Sequence, residues 1–555
     1  MDPYLAQFIK DSTPKMNSSV LNGLAVEHLP HAMRYIEGIV RNVFNGLLPG
    51  LKFERMIKCS PEEELRKEQR RKNDKLVIDI ARSDLYLVGL DFSYVDPTKI
   101  DPLTGKPDLK PQPLQRKYLF LPFAGPAGSI TLSGSRYFIS PVISDIVLSF
   151  ERESVFVRLL RDKFAVKRVD HTVYVNNRIT TIPVIWSEIY HLSKERKKEK
   201  TNKALCPLML YLLCRYGLKD TLKRFGTTDC IVGNADSVNA TNYPDDKWSI
   251  FQSSRALKRR GMKNGQQYVD FRVAVPIEKA TPYVHALVGS LFYLLDHFPD
   301  KFENIEWLES KEKWMLIMGY IYFGETQHRG ILLGDIQEHF KSIDEYLDTI
   351  ILDKLESVNI KVNDTYELLA LIIERFGEWM ISTSDRINSL YDKELSILYD
   401  VLIPVTSSIF NCYFKLKSSA KSNAGKGLSV RDIEKIMEVT IRARAIFGIT
   451  KTQNGISSLS YSGDNKFLKI TSVMNPQKRS GGKGSSDDAG QLKDPEKRLH
   501  VSFVDVGNYS NLTGKTPVGS QRLNPYIQLD SHGRVLRSTE TREALDKTQE
   551  KIRRM

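Results

Sequence analysis

No run of the 555-residue chain reaches the roughly 18 uninterrupted apolar residues that a membrane-crossing helix needs. The opening residues, MDPYLAQFIKDSTPK, set Asp2 and Lys10 around a short apolar patch and do not read as a secretory signal. Cysteine is sparse. The five (Cys59, Cys206, Cys214, Cys230, Cys412) show no CxxC spacing, so free thiols in a reducing compartment are expected and a zinc site is not. Phosphate-cradling loops are missing, because SGGKGSS and NAGKGLS lack both the GxxxxGK[ST] order and a preceding strand. GxSxG and HExxH do not occur, and there is no internal repeat. HFKSIDEYLD offers His339, Asp344, Glu345 and Asp348, but the five-residue step from His339 to Asp344 does not suit one helical face. The expectation is that this chain holds no catalytic residue, metal or cofactor of its own.

What is present is positive charge on a globular frame. Hydrophobic residues make up 41% and charged residues 27%, a folded composition with room for two to four domains. The net charge of +14 favours a polyanionic partner through counterion release, nucleic acid first, over a merely basic surface.

The chain reads as α+β and multi-domain: a β-rich base, a helical lobe and a large helical block. Residues 1–58 look helical, with HAMRYIEGIVRNVFNGLLPGL stopping at Pro49-Gly50. PEEELRKEQRRKNDK (61–75) has Pro61 and acids at a helix start, ordinary helix electrostatics and a solvated face. From residue 76 strands are expected: KLVIDIARSDLYLVGLDFSYV, then KYLFLPF after a proline-rich insertion. GSITLSGSRYFISPV reads as a hairpin turning at Ser133-Gly134, with Gly134 and Arg136 as its structural residues. Strands continue to YVNNR. WSEIYHLSKERKKEK and ALCPLMLYLLCRYGLKDTLKRFG read as helices. Residues 227–282 are mixed, and 283–447 are almost all helix. LHVSFVDVGNYSNLTGKTPVGSQRLNPYIQLDSHGRVL is β-like, and a charged helix follows. The expected domains are 1–150, helices plus a β-rich region; 151–282, mixed; 283–447, helical; and 448–555, a basic loop, β-like stretch and terminal helix.

Two basic clusters are candidates for nucleic-acid contact. Lys478, Arg479, Lys483, Lys497 and Arg498 sit in a Gly/Ser context that can fit its charges to a phosphate backbone. Arg255, Lys258, Arg259 and Arg260, with Lys263 beyond them, form the second. Tyr268, Phe503 and Tyr509 stand nearby as base-stacking or core residues.

KYLFLPFAGPAGSITLSGSRYFISPVISD resembles a stretch in the N-terminal half of the β subunit of multisubunit RNA polymerases. There a strand leads to an LGxIPLM-like segment, followed by GxFIINGxERVIVSQ. Ser133-Gly134 stands in place of Asn-Gly, and Ser135-Arg136 in place of the Glu-basic pair. EEELRKEQRRKNDKLVIDIA upstream, and VFVRLLRDK and ALCPLMLYLLCRYGLKDTLKRF downstream, are similar in order to flanking segments of that family. Near the end, Asn475 and Pro476 match the NP of the NPLsEithkRRlSalGPGG region, with Lys478 and Arg479 as its paired basics. His500 matches a family histidine. Thr516, Pro517, Val518 and Gly519 match TPEG with its glutamate lost, and SGGKGSSDDAG replaces the glycine tract. NAD at 234–236 begins like the NADFDGD metal motif of such enzymes but continues SVN, so the carboxylate cage is missing.

The chain looks like the split, divergent β subunits of large bacteriophages. The resemblance implies a β-like N-terminal subunit that lines the DNA cleft through protrusion-like and lobe-like domains and binds DNA and RNA. Its partners would be the β C-terminal half and β′-like chains, with Mg on a partner catalytic subunit. The implied location is the host cytoplasm, with packaging in the virion as a further expectation. Two alternatives from the residues alone are a non-enzymatic phage protein, virion-structural or genome-associated, and a DNA-binding replication accessory.

Overall fold

The computed structural model describes residues 3, 4, 6, 7, 16–60, 81–99, 110–125, 128–139, 141–151, 154–158, 163–187, 205–224, 229–253, 270–302, 304–324, 328–344, 347, 349–381, 389–423, 427–451, 458–460, 474, 477, 478, 500–508, 522–537, 543 and 550. The fold is α+β. It divides into two compact units, Val147–Ile387 and a discontinuous one made of Met1–Ile146 and Asn388–Met555.

The discontinuous unit begins with short helices α1 (Ser18–Asn22) and α2 (Leu24–His28), then α3 (Ala32–Phe44). The apolar stripe of α3 (Ile36, Ile39, Val40, Val43, Phe44) is buried at helical spacing. Phe44 meets Phe92 edge-on at 5.2 Å, and Phe53 does so at 5.4 Å. Residues 51–58, expected as helix, form strand β1 (Leu51–Lys58), because LKFERMIK buries Leu51, Phe53 and Met56 against a neighbouring strand. That neighbour, β2 (Leu85–Tyr94), also pairs with β3 (Gln112–Pro113) and β4 (Lys117–Pro122). β5 (Ile130–Leu132) and β6 (Ser135–Ile139) form the expected hairpin, followed by β7 (Val142–Asp145).

The continuous unit holds a seven-stranded sheet. Its strands are β8 (Leu148–Glu151), β9 (Ser154–Arg158), β10 (Lys163–Val175), β11 (Arg178–Ser187), β12 (Ile231–Asn234), β13 (Trp248–Ser253) and β14 (Phe271–Pro276). They run in the order β12-β14-β13-β10-β9-β8, with β11 also on β10. Trp186 and Ser187, expected in a helix, end β11. Helices α4 (Leu208–Tyr216) and α5 (Leu218–Arg224) are parted at Gly217, whose φ is +83°. α6 (Pro282–His297) starts on the cap of Thr281, whose hydroxyl accepts from Val284 N at 3.3 Å. It is apolar nearly all round and buried accordingly, and each of Leu287, Leu291 and Leu294 contributes roughly 2 kcal/mol. α7 (Lys311–Phe323), α8 (Arg329–Asp344), α9 (Thr349–Ser357) and α10 (Thr365–Ile381) complete the unit around fully buried Trp314.

The chain then returns to the first unit, so the helical block 283–447 is shared between the two. β15 (Lys393–Ser396) pairs with β7, and Lys393 forms an ion pair with Asp145 across the two strands. α11 (Leu398–Ser422) buries Val401, Leu402, Val405, Ile409, Cys412 and Leu416. α12 (Val430–Thr440) opens on a capping box of Ser429 and Asp432. β16 (Ser458–Ser460) extends the hairpin through β6, and β17 (Gln477–Lys478) lies parallel to β7. SFVDV, expected in a β-like stretch, is the short helix α13 (Ser502–Val506). Among the described residues, strand pairing in that stretch is confined to β18 (Gln528–Leu529), β19 (Val535–Leu536) and two isolated bridges, Gly507 with Leu523 and Arg534 with Glu394.

Candidate nucleic-acid interface

Arg255, Lys258, Arg259, Arg260, Arg479, Lys483, Lys497 and Arg498 lie outside the described residues, as do Lys263, Tyr268, Tyr509, Asn475, Pro476 and Thr516 to Gly519. Their anchors are described. The basic segment 254–269 connects β13 to β14, which are antiparallel neighbours. Gln252 Nε2 donates to both Asp270 carboxylate oxygens at 3.1 and 3.2 Å, and Arg272 Nη2 donates to one of them at 3.1 Å. The last described residue before the segment, Ser253, donates its hydroxyl to Asp296, which also bonds His171 Nε2 at 2.9 Å. Asp296 is buried. Serine, histidine and aspartate thus meet, but the carboxylate sits between the other two. A nucleophilic triad needs the imidazole in the middle, so this group acts as a strut and not as a catalyst.

The second basic segment, 479–499, starts from Lys478, which faces Ile143 in the parallel β17–β7 pair. It ends at His500, whose Nδ1 accepts from Ser502 N at 3.0 Å and lies 2.8 Å from Ser502 Oγ. That hydroxyl oxygen accepts from Leu390 N at 2.8 Å, just before β15. Tyr391 donates to the buried Asp505 of α13. Both ends of the segment are therefore tied to one small sheet, β15-β7-β17. Phe503, a candidate for base stacking, lies on α13 beside this anchor, and its ring closes over Gly507.

The hairpin turns on two residues with positive φ, Ser133 at +53° and Gly134 at +82°, the type I′ geometry that matches strand twist. Gly134 N donates to Arg82 O at 2.9 Å and Ser133 N to Ser83 Oγ at 2.8 Å. Thr131 N donates to Asp84 Oδ2 at 2.7 Å. Arg136 pairs with Thr131 and is half-buried. The hairpin is bound along its edge and tip to residues 82–84.

Two other charged places are structural. A groove of about 670 Å³ between Arg55, Asp91, Tyr118 and Arg116 exposes guanidinium groups. Asp91 already engages them: Arg116 Nε at 2.6 Å, Arg116 Nη2 at 3.1 Å and Arg55 Nε at 3.0 Å. The Arg116 hydrogen bond holds the Asp91 carboxyl below the usual carboxylate range, with Arg55 adding to it against the effect of burial. Gly89 makes this possible, since a Cβ there would stand 2.6 Å from Arg116 Cδ. Lys117 is buried, and burial lowers its pKa although Glu438 and Glu434 of α12 oppose the shift. His339 is also buried, 3.2 Å from the Tyr211 hydroxyl, while Asp344 lies 3.8 Å from Arg215. The two diverge as their spacing implies, and among the described residues no three His, Cys, Asp or Glu side chains converge as a metal site would need.

One surface group escapes the sequence reading. On α11, Tyr413 and Phe414 meet edge-on at 5.3 Å. Lys417 Nζ stands 5.5 Å from the Tyr413 ring and 3.3 Å from its hydroxyl. The signal available in the sequence is the lack of any acidic residue between Asp400 and Asp432.

A family model described as non-virion RNA polymerase subunit matches residues 3–542, and no curated protein matches the chain. The chain belongs to that family and is an RNA polymerase subunit of a large virus. The non-virion description points to the infected host cell and gives no support to packaging in the virion.

Proposed function

We propose that this polymerase subunit is the β-like N-terminal component of its enzyme. It lines the DNA cleft and contacts DNA and RNA through phosphates, while the catalytic Mg is held by a partner subunit. Its partners are other RNA polymerase subunits, in this reading the β C-terminal half and β′-like chains. The observation that supports the reading is the architecture: two mixed α/β units, which suits protrusion-like and lobe-like domains. A single elongated helical body would have favoured a structural role. The hairpin at 130–139, where the resemblance is densest, is then part of the protrusion base and braces it through residues 82–84.

In each unit a basic segment of the sequence, 254–269 in one and 479–499 in the other, is bounded by hydrogen-bonded residues. Fixed ends place a segment, and a Gly/Ser-rich middle lets lysines follow a phosphate backbone. Lys478, Arg479, Lys483, Lys497 and Arg498 are the first assignment, and Arg255, Lys258, Arg259 and Arg260 the second. Their contribution to affinity is electrostatic and falls with salt.

Co-purification from infected cells tests the reading. The chain is expected with three or more other polymerase fragments, inactive alone and supporting nucleotide addition only in their company. Sedimentation with capsid or tail, and no polymerase subunit recovered, would sink it. Within the complex, reversing Lys478, Arg479 and Lys483 should reduce the slope of log affinity against log salt by about 0.9 for each duplex phosphate no longer neutralised.

A further inference from the structure

We propose that the C-terminal half of α11 is a binding site for single-stranded nucleic acid. Phe414 offers a stacking face, and Lys415 and Lys417 take the flanking phosphates. The polymerase-subunit reading supplies the reason such a ligand is at hand. The local chemistry is independent of the two basic segments above.

The helix buries Val405, Ile409, Cys412 and Leu416 on one side. The same period turns Ser407, Asn411, Phe414 and Ser418 to solvent. Phe414 is thereby held 62% exposed, whereas Phe44, Phe53 and Phe92 of the same unit are buried. A groove of about 490 Å³ opens beside it, lined by Phe414, Lys417, Ser418 and Ser422. The Ser422 hydroxyl donates back to Ser418 O at 3.1 Å. Tyr413 braces the Phe414 ring edge-on and also positions the Lys417 amine. From residue 401 to 431 the sequence contains no Asp or Glu.

An aromatic ring beside lysines, over a groove whose lining residues carry no acid, is the pairing that binds unstacked bases and their phosphates together. Two features disfavour a protein partner. The apolar surface here is one ring set among lysines and serines and not a contiguous patch. Lysine is also depleted from the cores of protein interfaces. Duplex does not fit either, because its bases are already stacked and cannot reach the ring.

The test uses the full chain and labelled oligo-dT and oligo-rU of about 20 nucleotides, a length that spans more than one site of this kind. Phe414→Ala should weaken single-strand binding about tenfold with the salt slope unchanged, and Phe414→Trp should restore it. Lys415→Gln with Lys417→Gln should lower the salt slope by about 1.4. Thermal unfolding should not move in either variant, since these side chains are at the surface. Wild-type affinity in Phe414→Ala would overturn the site. So would an equal loss on a hairpin duplex, or weakened association with other polymerase subunits while oligonucleotide binding stays intact. The polymerase reading fails separately, by absence of co-purifying polymerase fragments from the wild-type chain.

Discussion

The two units anchor their basic segments in opposite ways. In the continuous unit the anchor is mainly local: β13 and β14 are paired neighbours, and Gln252, Asp270 and Arg272 are joined across that pair, with Val173 and Tyr174 of β10 and Asp296 of α6 as more distant supports. In the discontinuous unit the anchor is assembled from β7, β15, β17, the turn at 500–502 and the residues around Gly533, drawn from across the chain. Local contacts form at small entropic cost, whereas distant ones require the intervening chain to be ordered first. The local anchor should therefore tolerate loss of one member, and the assembled anchor should fail as a whole. All five tryptophans (Trp186, Trp248, Trp307, Trp314, Trp379) lie within 147–387, so their fluorescence reads the continuous unit alone. Hydrogen exchange reads the other.

The largest effect is expected at Gly533. Its φ is +81°, and a Cβ would stand 2.1 Å from Leu395 O, the carbonyl of the residue whose N–H bonds Gly533 O at 2.7 Å. Gly533→Ala combines left-handed strain with a backbone clash, about 3 kcal/mol or more. Exchange protection should collapse together in β7, β15 and 500–506, with the tryptophan transition in place. Loss confined to the 530–534 turn would show that this anchor is not cooperative.

Asp296→Ala comes next. It removes the hydrogen bonds to the Ser253 hydroxyl and the His171 ring at a cost of about 2 kcal/mol, or roughly 5 °C on the tryptophan transition. Exchange in the discontinuous unit should not change. The β13–β14 pairing below Gln252 should persist, because Asp270 and Arg272 still hold it. If that pairing melts as well, the supposed local anchor depends on α6 as much as the other depends on the returning chain.

Gly134→Ala should cost about 1 kcal/mol: a Cβ there meets only Arg82, its Cδ at 3.6 Å, so strain at positive φ acts alone. The contrast with Gly533 marks what is legible. Ser-Gly between alternating apolar runs announces a hairpin, because its turn chemistry is carried by adjacent residues. The apolar spacing of α3, α6 and α10 is legible for the same reason. That 388–555 rejoins 1–146 is not, since each strand of β15-β7-β17 is too short to carry a period and its partners lie hundreds of residues apart. LKFERMIK reads as helix because Phe53 and Met56 stand three apart. The register shift between Phe53 and Arg55 is what puts both on the buried face of a strand. SFVDV reads as strand from its valines, and Ser502 bonded to Leu390 N overrides that preference. Beyond the acid-free interval around it, Phe414 gives no signal of its own in the sequence, because an aromatic at helical spacing ordinarily faces a core. Only its exposure shows that this one does not.

The smallest expected difference is in acid. Burial lowers the pKa of His285 on α6, whose ring meets Phe251 of β13 at 5.6 Å. The unfolded chain then binds its proton first as pH falls below about 6.5, so the continuous unit loses stability from there down to the lowered folded value and then levels. In the discontinuous unit Asp91 works the other way. Its pKa is lowered by Arg116 and Arg55, so its contribution is complete above about 3.9 and is lost only as pH falls through the folded value. Between pH 7 and pH 5 the tryptophan transition should therefore drop while exchange protection around Asp91 holds. His285→Leu should flatten the first response, and Asp91→Asn should lower protection equally at both pH values. A wild-type tryptophan transition that does not move across this interval would remove His285 as the source of the difference.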